Sequence, residues 1–276
     1  MSKSMVNFGG IVPLSTVDWL GRSALVVFLR GCPLRCPHCH NIELRMGDNF
    51  VDFHVVASRI VSQVKGERIA AAPSIRPPRQ INLDEASERV SARPFVDAFV
   101  LSGGEPLQQS EAAARLFRLA RSLHLDTGLE TSGCYPERLR ELLKSGYVDK
   151  VFLDLKAAMQ DPGYQRATGE TGVAARVRKS LEICMESGVP MDARTTVFLD
   201  VPTKSEVVEV AQLLLQLKKD FPGSRLESLV LQQGRPRDGG PRFEPVSIQT
   251  LQEMADAVDM LENVKIRAMP SISWKN

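Results

Sequence analysis

The sequence predicts an α/β fold, either a (β/α) barrel or an open parallel sheet. Three observations carry this expectation. Short apolar runs alternate with helical patterns along most of the 276 residues. Several of those runs are almost continuously apolar, as parallel strands covered on both faces must be. Polar and charged residues recur where the runs end, and parallel α/β folds build their sites at the carboxyl ends of strands.

The elements follow in order. "ALVVFLR" (24–30) reads as the first strand. A helix follows, and then residues 65–94, "KGERIAAAPSIRPPRQINLDEASERVSARP", break the pattern. This stretch is rich in proline and charge and poor in large apolar residues, so it reads as a mobile insertion. Further strands are predicted at "DAFVLSG" (97–103), "LDTGLET" (125–131) and "KVFLDLK" (150–156). Over 172–188, helical spacing places Val173, Val177, Leu181 and Cys184 on one face. "MDARTTVF" (191–198) is the next strand, and Thr203 with Glu206 forms a capping box opening a helix through Lys218. "SLVLQQ" (228–233) and "VKIRAM" (264–269) complete the strands. Between them Ser247 caps a helix whose apolar stripe is Leu251, Met254, Ala255, Val258 and Leu261.

The strand-end residues form a series: Gly103, Gly104 and Glu105; Glu130 and Thr131; Asp154 and Lys156; Arg194; Gln232 and Gln233. Burying so many polar groups is costly unless ligands or ion pairs satisfy them. Any one could be a local ion pair, but the series favours a shared pocket.

Composition narrows the class. Hydrophobic content of 43% and charged content of 25% are ordinary for a globular chain. A net charge of +2 gives no reason to expect nucleic-acid or membrane binding. Five cysteines are too few and odd in number for a disulfide scaffold, so a reducing compartment is expected. The N-terminus has no long apolar segment of the signal-peptide kind, and no run reaches the ~18 apolar residues of a membrane span. A soluble cytoplasmic protein is therefore the expectation.

Three of the five cysteines crowd into "RGCPLRCPHCHN" (30–41), as Cys32, Cys36 and Cys39. A zinc site would need a fourth ligand, for which His38 or His40 could serve. A redox dithiol would use C-x-x-C and leave one cysteine idle. An iron–sulfur cluster held by three thiolates would leave one iron open to a cofactor or substrate. Of the other thiols, Cys184 belongs to a helix's apolar stripe, and Cys134, beyond the third strand, reads as a packed small residue. His124 sits between apolar residues in "SLHLD" and reads as structural, and His54 is on a helix with no ligand-like partner.

C-x3-C-x2-C after the first strand resembles the signature loop of the radical S-adenosylmethionine (SAM) superfamily, and "SGGEP" (102–106) resembles its Gly-Gly-Glu loop. The segment "LSTVDWLGRSALVVFLRGCPLRCPHCHNIEL" is similar to the N-terminus of activating enzymes for anaerobic, glycyl-radical ribonucleotide reductase. Ser15, Asp18, Gly21, Gly31, Cys32, Cys39, His40 and Asn41 fill that pattern. "ETSG" (130–133) resembles the family's Thr-Asn-Gly segment, with Ser132 in place of Asn. "LDLK" (153–156) is similar to the Asp-Leu-Lys segment that contacts SAM in pyruvate formate-lyase activating enzyme. "RTTV" (194–197) and "LQQGRP" (231–236) resemble the fifth and sixth strand motifs of reductase activators. The residue before the third cysteine, usually a Tyr or Phe packed on adenine, is His38, which buries less area.

The resemblance implies a single-domain partial (β/α)6 TIM-like barrel over 1–276, with 65–94 inserted. It implies a [4Fe–4S] cluster on Cys32, Cys36 and Cys39. It also implies SAM contacts from His38, His40, Gly103, Gly104, Glu105, Glu130, Thr131, Asp154, Lys156, Arg194 and Gln233. No catalytic residue is implied beyond cluster and SAM. The implied partners are a glycyl-radical enzyme, foremost anaerobic ribonucleotide reductase, and a flavodoxin or ferredoxin electron donor. Two alternatives stay open: a radical SAM reaction on a small molecule or RNA, and a zinc-binding structural or interaction module.

Overall fold

The computed structural model describes residues 4–66, 95–235 and 243–268. The expected insertion therefore lies outside the described residues except for its first two, Lys65 and Gly66. The chain divides into two compact units. One comprises Met1–Pro33, Asn41–Thr131 and Glu137–Val151; the other comprises Leu34–His40, Ser132–Pro136 and Phe152–Asn276.

The first unit contains β1 (Met5–Ser15), β2 (Ala24–Leu29), β3 (Phe50–Asp52), β4 (Ala98–Gly103) and β5 (Asp126–Thr131), ordered β3-β1-β2-β4-β5. β2, β4 and β5 pair in parallel, as expected, and are buried along almost their whole length. The sequence reading missed β1. It pairs antiparallel with β2 and with β3, so the sheet is mixed, with parallel pairing dominant. Gly9, Gly10 and Pro13 interrupt the alternation that marks a strand, and the ladder to β2 is irregular on either side of them. Gly9 is there for contact: a Cβ would come within 2.9 Å of the Phe28 carbonyl and a Leu44 methyl.

The helices of this unit are α1 (Ile42–Arg45), α2 (Phe53–Val64), α3 (Ser110–Ser122) and most of α4 (Pro136–Lys144). The Asp52 side chain caps α2 by accepting from the His54 amide at 2.8 Å. The apolar face of α2, with Phe53, Val56, Ile60 and Val64, packs on β1, and α3 packs on β4 and β5.

The second unit holds the end of β6 (Lys150–Asp154), then β7 (Met191–Val197), β8 (Leu226–Gln233) and β9 (Val264–Arg267), the last three paired in parallel. Its helices are α5 (Asp161–Thr168), α6 (Val173–Ser187), α7 (Lys204–Asp220) and α8 (Ile248–Asp256). The stripe expected on 172–188 is buried in α6. The capping box on Thr203 and Glu206 is present in full, and Ser247 caps α8. That last helix is shorter than its stripe suggested. It stops at Asp256, and Val258 and Leu261 are buried from an i→i+3 turn instead. Strand β6 likewise ends at Asp154, so Lys156 lies two residues beyond it.

Candidate active site

In the first unit, the loop after β4 is stitched to the root of the cysteine loop. The Gly104 amide donates to the Leu29 carbonyl at 2.9 Å and the Glu105 amide to the Gly31 carbonyl at 2.8 Å. Asn41, just past the last cysteine, donates from Nδ2 to the Gly103 carbonyl at 3.3 Å. A Cβ on Gly103 would overlap the Leu29 backbone. One on Gly104 would overlap the Gly31 carbonyl and sit 3.2 Å from the Cys32 Cβ. These glycines let two backbones meet beside Cys32, a requirement that ligand approach alone did not reveal. Gly103 also adopts φ 131°, which a side chain would disfavour.

Glu105 is fully buried. Its Oε1 accepts from the Leu107 amide at 3.1 Å, capping the short 3-10 turn Pro106–Gln109, and from Thr131 Oγ1 at 2.8 Å. Two predicted site residues are thus joined directly. Glu130 is half-buried on the same strand as Thr131.

In the second unit, Lys156 Nζ lies 3.0 Å from Asp154 Oδ2. Burial alone would disfavour the ammonium. Asp154 and the Cys36 thiol outweigh that, and the Lys156 pKa ends above the ordinary lysine value. Burial pushes the Cys36 thiol up, while Lys156 pulls it back. The Lys156 amide donates to the hydroxyl of Tyr164, a fully buried tyrosine of α5, at 3.2 Å. Arg194 is buried on β7 with its guanidinium 3.9 Å from the Phe152 ring centroid, and its carbonyl accepts from the Leu155 amide. Gln233 donates to the Val246 carbonyl at 2.7 Å.

His38 is buried against two aromatic rings that also touch each other, 4.8 Å from Phe198 and 5.2 Å from Phe243 by centroid. Burial, with Lys156 and His40 nearby, lowers its pKa to about 3, so the ring is neutral at physiological pH. Its Nδ1 is buried without a hydrogen-bond partner. His40, by contrast, is exposed. Cys134 is buried and receives the Ser132 hydroxyl at 3.3 Å, and Cys184 is buried in α6. The aromatic neighbours Phe198 and Phe243, and Tyr164 on α5, were not legible as site residues, because nothing in their local sequence distinguishes them from core.

Residues 26–214 match the Radical SAM superfamily, a span of more than half the chain. The chain belongs to the radical SAM superfamily. Among its relatives is a protein of Methanocaldococcus jannaschii named as a glycyl-radical enzyme activating enzyme, 25% identical over 97% of both chains. A pyruvate formate-lyase-activating enzyme of Clostridium pasteurianum is 26% identical over 52% of this chain and 50% of its own. Another, from Staphylococcus aureus, is 29% identical over 57% and 55%. In fold, the chain is similar to a radical SAM methyltransferase from Sphaerobacter thermophilus, with a TM-score of 0.62 at 17% identity over 93% of this chain and 69% of that one. It is also similar to SuiB of Streptococcus suis bound to SAM, with a TM-score of 0.56 at 13% identity over 86% and 48%. The radical SAM barrel expected from the motifs is the fold these likenesses show.

Radical SAM chemistry uses a [4Fe–4S] cluster and SAM, and the side chains here suit both. None of the five cysteines is in a disulfide, and three of them lie in the signature loop. The loop's root has space beside Cys32 only because position 104 lacks a side chain. Burial holds the Cys36 thiol above its ordinary pKa, and the nearby charged Lys156 offsets only part of that. The buried, unpartnered Nδ1 of His38 is a polar group of the kind a bound cofactor satisfies. Among the described residues, no three His, Cys, Asp or Glu side chains are gathered closely enough to ligate one metal ion, and this holds for Cys32, Cys36 and Cys39 as well. No helix among the described residues is long and apolar enough to cross a membrane.

Proposed function

We propose that this protein is a radical SAM activase that installs a glycyl radical on a partner enzyme, foremost an anaerobic ribonucleotide reductase, in the reducing cytoplasm. The observation that carries this reading is the end-to-end alignment, 97% of each chain, with a relative named as a glycyl-radical enzyme activating enzyme. The match to pyruvate formate-lyase-activating enzymes over about half of each chain supports the same class.

On this reading Cys32, Cys36 and Cys39 hold the cluster. Once bound, the cluster and SAM would supply the one-electron chemistry that removes an α-hydrogen from the partner's glycine, with a flavodoxin or ferredoxin as the electron source. The chain's own residues bind and orient. Gly103, Gly104 and Glu105 offer backbone and carboxylate to the SAM amino group, with Thr131 fixing the carboxylate. Asp154 and Lys156 offer a paired acid and base, and Arg194 a planar donor fork for the SAM carboxylate or ribose. His38, kept neutral, faces the adenine, and Glu130, His40 and Gln233 complete the proposed contacts.

Anaerobic reconstitution with iron and sulfide tests the assignment. About four irons per chain are expected, together with release of methionine and 5′-deoxyadenosine once SAM and a reductant are added. Cys36→Ala should abolish both. Stoichiometric zinc without iron, or no SAM cleavage by a loaded protein, would overturn the reading.

A further inference from the structure

The C-terminal end of α5 grips the cysteine loop from within. The Thr168 carbonyl accepts from the Arg35 amide at 2.8 Å, and Arg35 is the residue before Cys36. Glu170 holds the Arg35 guanidinium at 3.1 Å. Between them Gly169 turns the chain at φ 73°, its amide closing the helix onto the Gln165 carbonyl at 2.8 Å. A Cβ on Gly169 would stand 2.9 Å from the Arg35 carbonyl oxygen and 3.2 Å from its Cβ. Thr168 is itself fully buried, with its hydroxyl on the Tyr164 carbonyl at 2.6 Å. One turn back, the Tyr164 hydroxyl accepts from the Lys156 amide. A single eight-residue helix therefore holds the Lys156 backbone at one point and the residue before Cys36 at another.

We infer that α5 is a gauge. Tyr164 and the Thr168–Gly169 turn are positioning residues that set the placement of Cys36 relative to the Asp154–Lys156 pair. The physical reason is that a helix is stiff along its length, whereas the loop carrying Cys36 and the chain beyond β6 are not regular structure. Neither Tyr164 nor Gly169 needs to touch cluster or SAM. Their effect passes through the amide of Arg35, held by the Thr168 carbonyl, and the amide of Lys156, held by the Tyr164 hydroxyl. The inference rests on the radical SAM reading of Cys36 and Lys156 given above.

The structure supplies a control. Gly172 also has a left-handed backbone, φ 65°, three residues on, but a Cβ there would meet nothing within 4 Å. Gly169→Ala and Gly172→Ala thus impose similar backbone strain, and only the first presses on Arg35. The experiment compares both variants and Tyr164→Phe with the wild type. In the metal-free protein, labelling of each cysteine is followed by mass spectrometry. In the reconstituted protein, the readouts are iron content and the SAM-induced change in the cluster's electron paramagnetic resonance (EPR) spectrum. Gly169→Ala is expected to label Cys36 several-fold faster and to need about tenfold more SAM for the spectral change. Tyr164→Phe should shift the SAM dependence in the same direction, and Gly172→Ala should match the wild type in both. Equal behaviour of the two alanine variants, or wild-type labelling and SAM dependence in Gly169→Ala and Tyr164→Phe, would overturn the gauge. A wild-type protein that binds no iron would instead overturn the reading on which the gauge rests.

Discussion

Thr131 Oγ1 donates to Glu105 Oε1 at 2.8 Å, tying the end of β5 to the loop that follows β4. Glu105 has no exposure to solvent, so its carboxylate depends on such donors. Thr131→Val keeps the shape of the side chain and removes the donor. It should cost roughly 1–3 kcal/mol of stability, the usual cost of removing a hydrogen-bond partner from a buried polar group. SAM affinity, read by calorimetry on reconstituted protein, should fall with it. Glu105→Ala should weaken SAM binding more strongly than it lowers iron content. Unchanged SAM affinity in both variants would separate this pair from the cofactor.

Gly104 is a packing requirement before it is a ligand contact. Gly104→Ala must displace the Gly31 carbonyl, the backbone group that leads into Cys32. A drop in thermal stability equivalent to about 1–3 kcal/mol is expected from such overpacking. Lower iron incorporation should accompany it, because the displaced carbonyl belongs to the peptide that joins Gly31 to Cys32, a proposed ligand. Gly146→Ala, whose added Cβ would meet nothing within 4 Å, should keep full iron content and provides the comparison.

Lys156 and Asp154 form a partly buried pair in which Asp154 retains 39% of its exposure. Solvent therefore screens some of the attraction. Lys156→Ala should weaken SAM turnover by roughly 1–3 kcal/mol in kcat/KM, with cluster content retained. Asp154→Ala should act in the same direction, and the double variant should lose less than the sum of the two.

Cys184 lies on the buried face of α6, and burial raises its thiol from 9.0 to about 12. The folded chain thus keeps this proton through a range in which the unfolded chain releases it. Linkage fixes the sign: the contribution to stability is complete below pH 9 and declines as pH rises from 9 towards 12. In the native, metal-free protein at pH 8, Cys184 should react with thiol reagents far more slowly than Cys32 or Cys39. Cys184→Ala should keep the cluster and should flatten the alkaline loss of stability measured by denaturant titration.

Much of this was legible in the sequence, for a physical reason. Cysteine spacing and charge at a strand end are each demanded by side-chain chemistry, so Cys32, Cys36, Cys39 and Glu105 stand out as candidates, whereas the backbone crowding that requires Gly104 is set by Gly31, distant in sequence. Strand β1 did not, because Gly9, Gly10 and Pro13 erase its alternation while contact with Phe28 and Leu44 requires Gly9. The grip of α5 on Arg35 was hidden as well. It works through the Thr168 carbonyl and the Lys156 amide, backbone groups that nearly every residue carries. His38 was read as a weaker stacking surface for adenine. Its burial against Phe198 and Phe243 arises from residues distant in sequence, which no local pattern reports.

The central claim is glycyl-radical formation, and one measurement addresses it directly. The reconstituted, reduced protein is mixed under anaerobic conditions with SAM and the anaerobic ribonucleotide reductase encoded in the same genome, and the EPR spectrum is recorded. The account expects the doublet of a glycyl radical on the reductase, with 5′-deoxyadenosine released in proportion and neither seen with Cys36→Ala. SAM cleavage without a radical on this or any other co-encoded glycyl-radical enzyme would contradict the activase assignment.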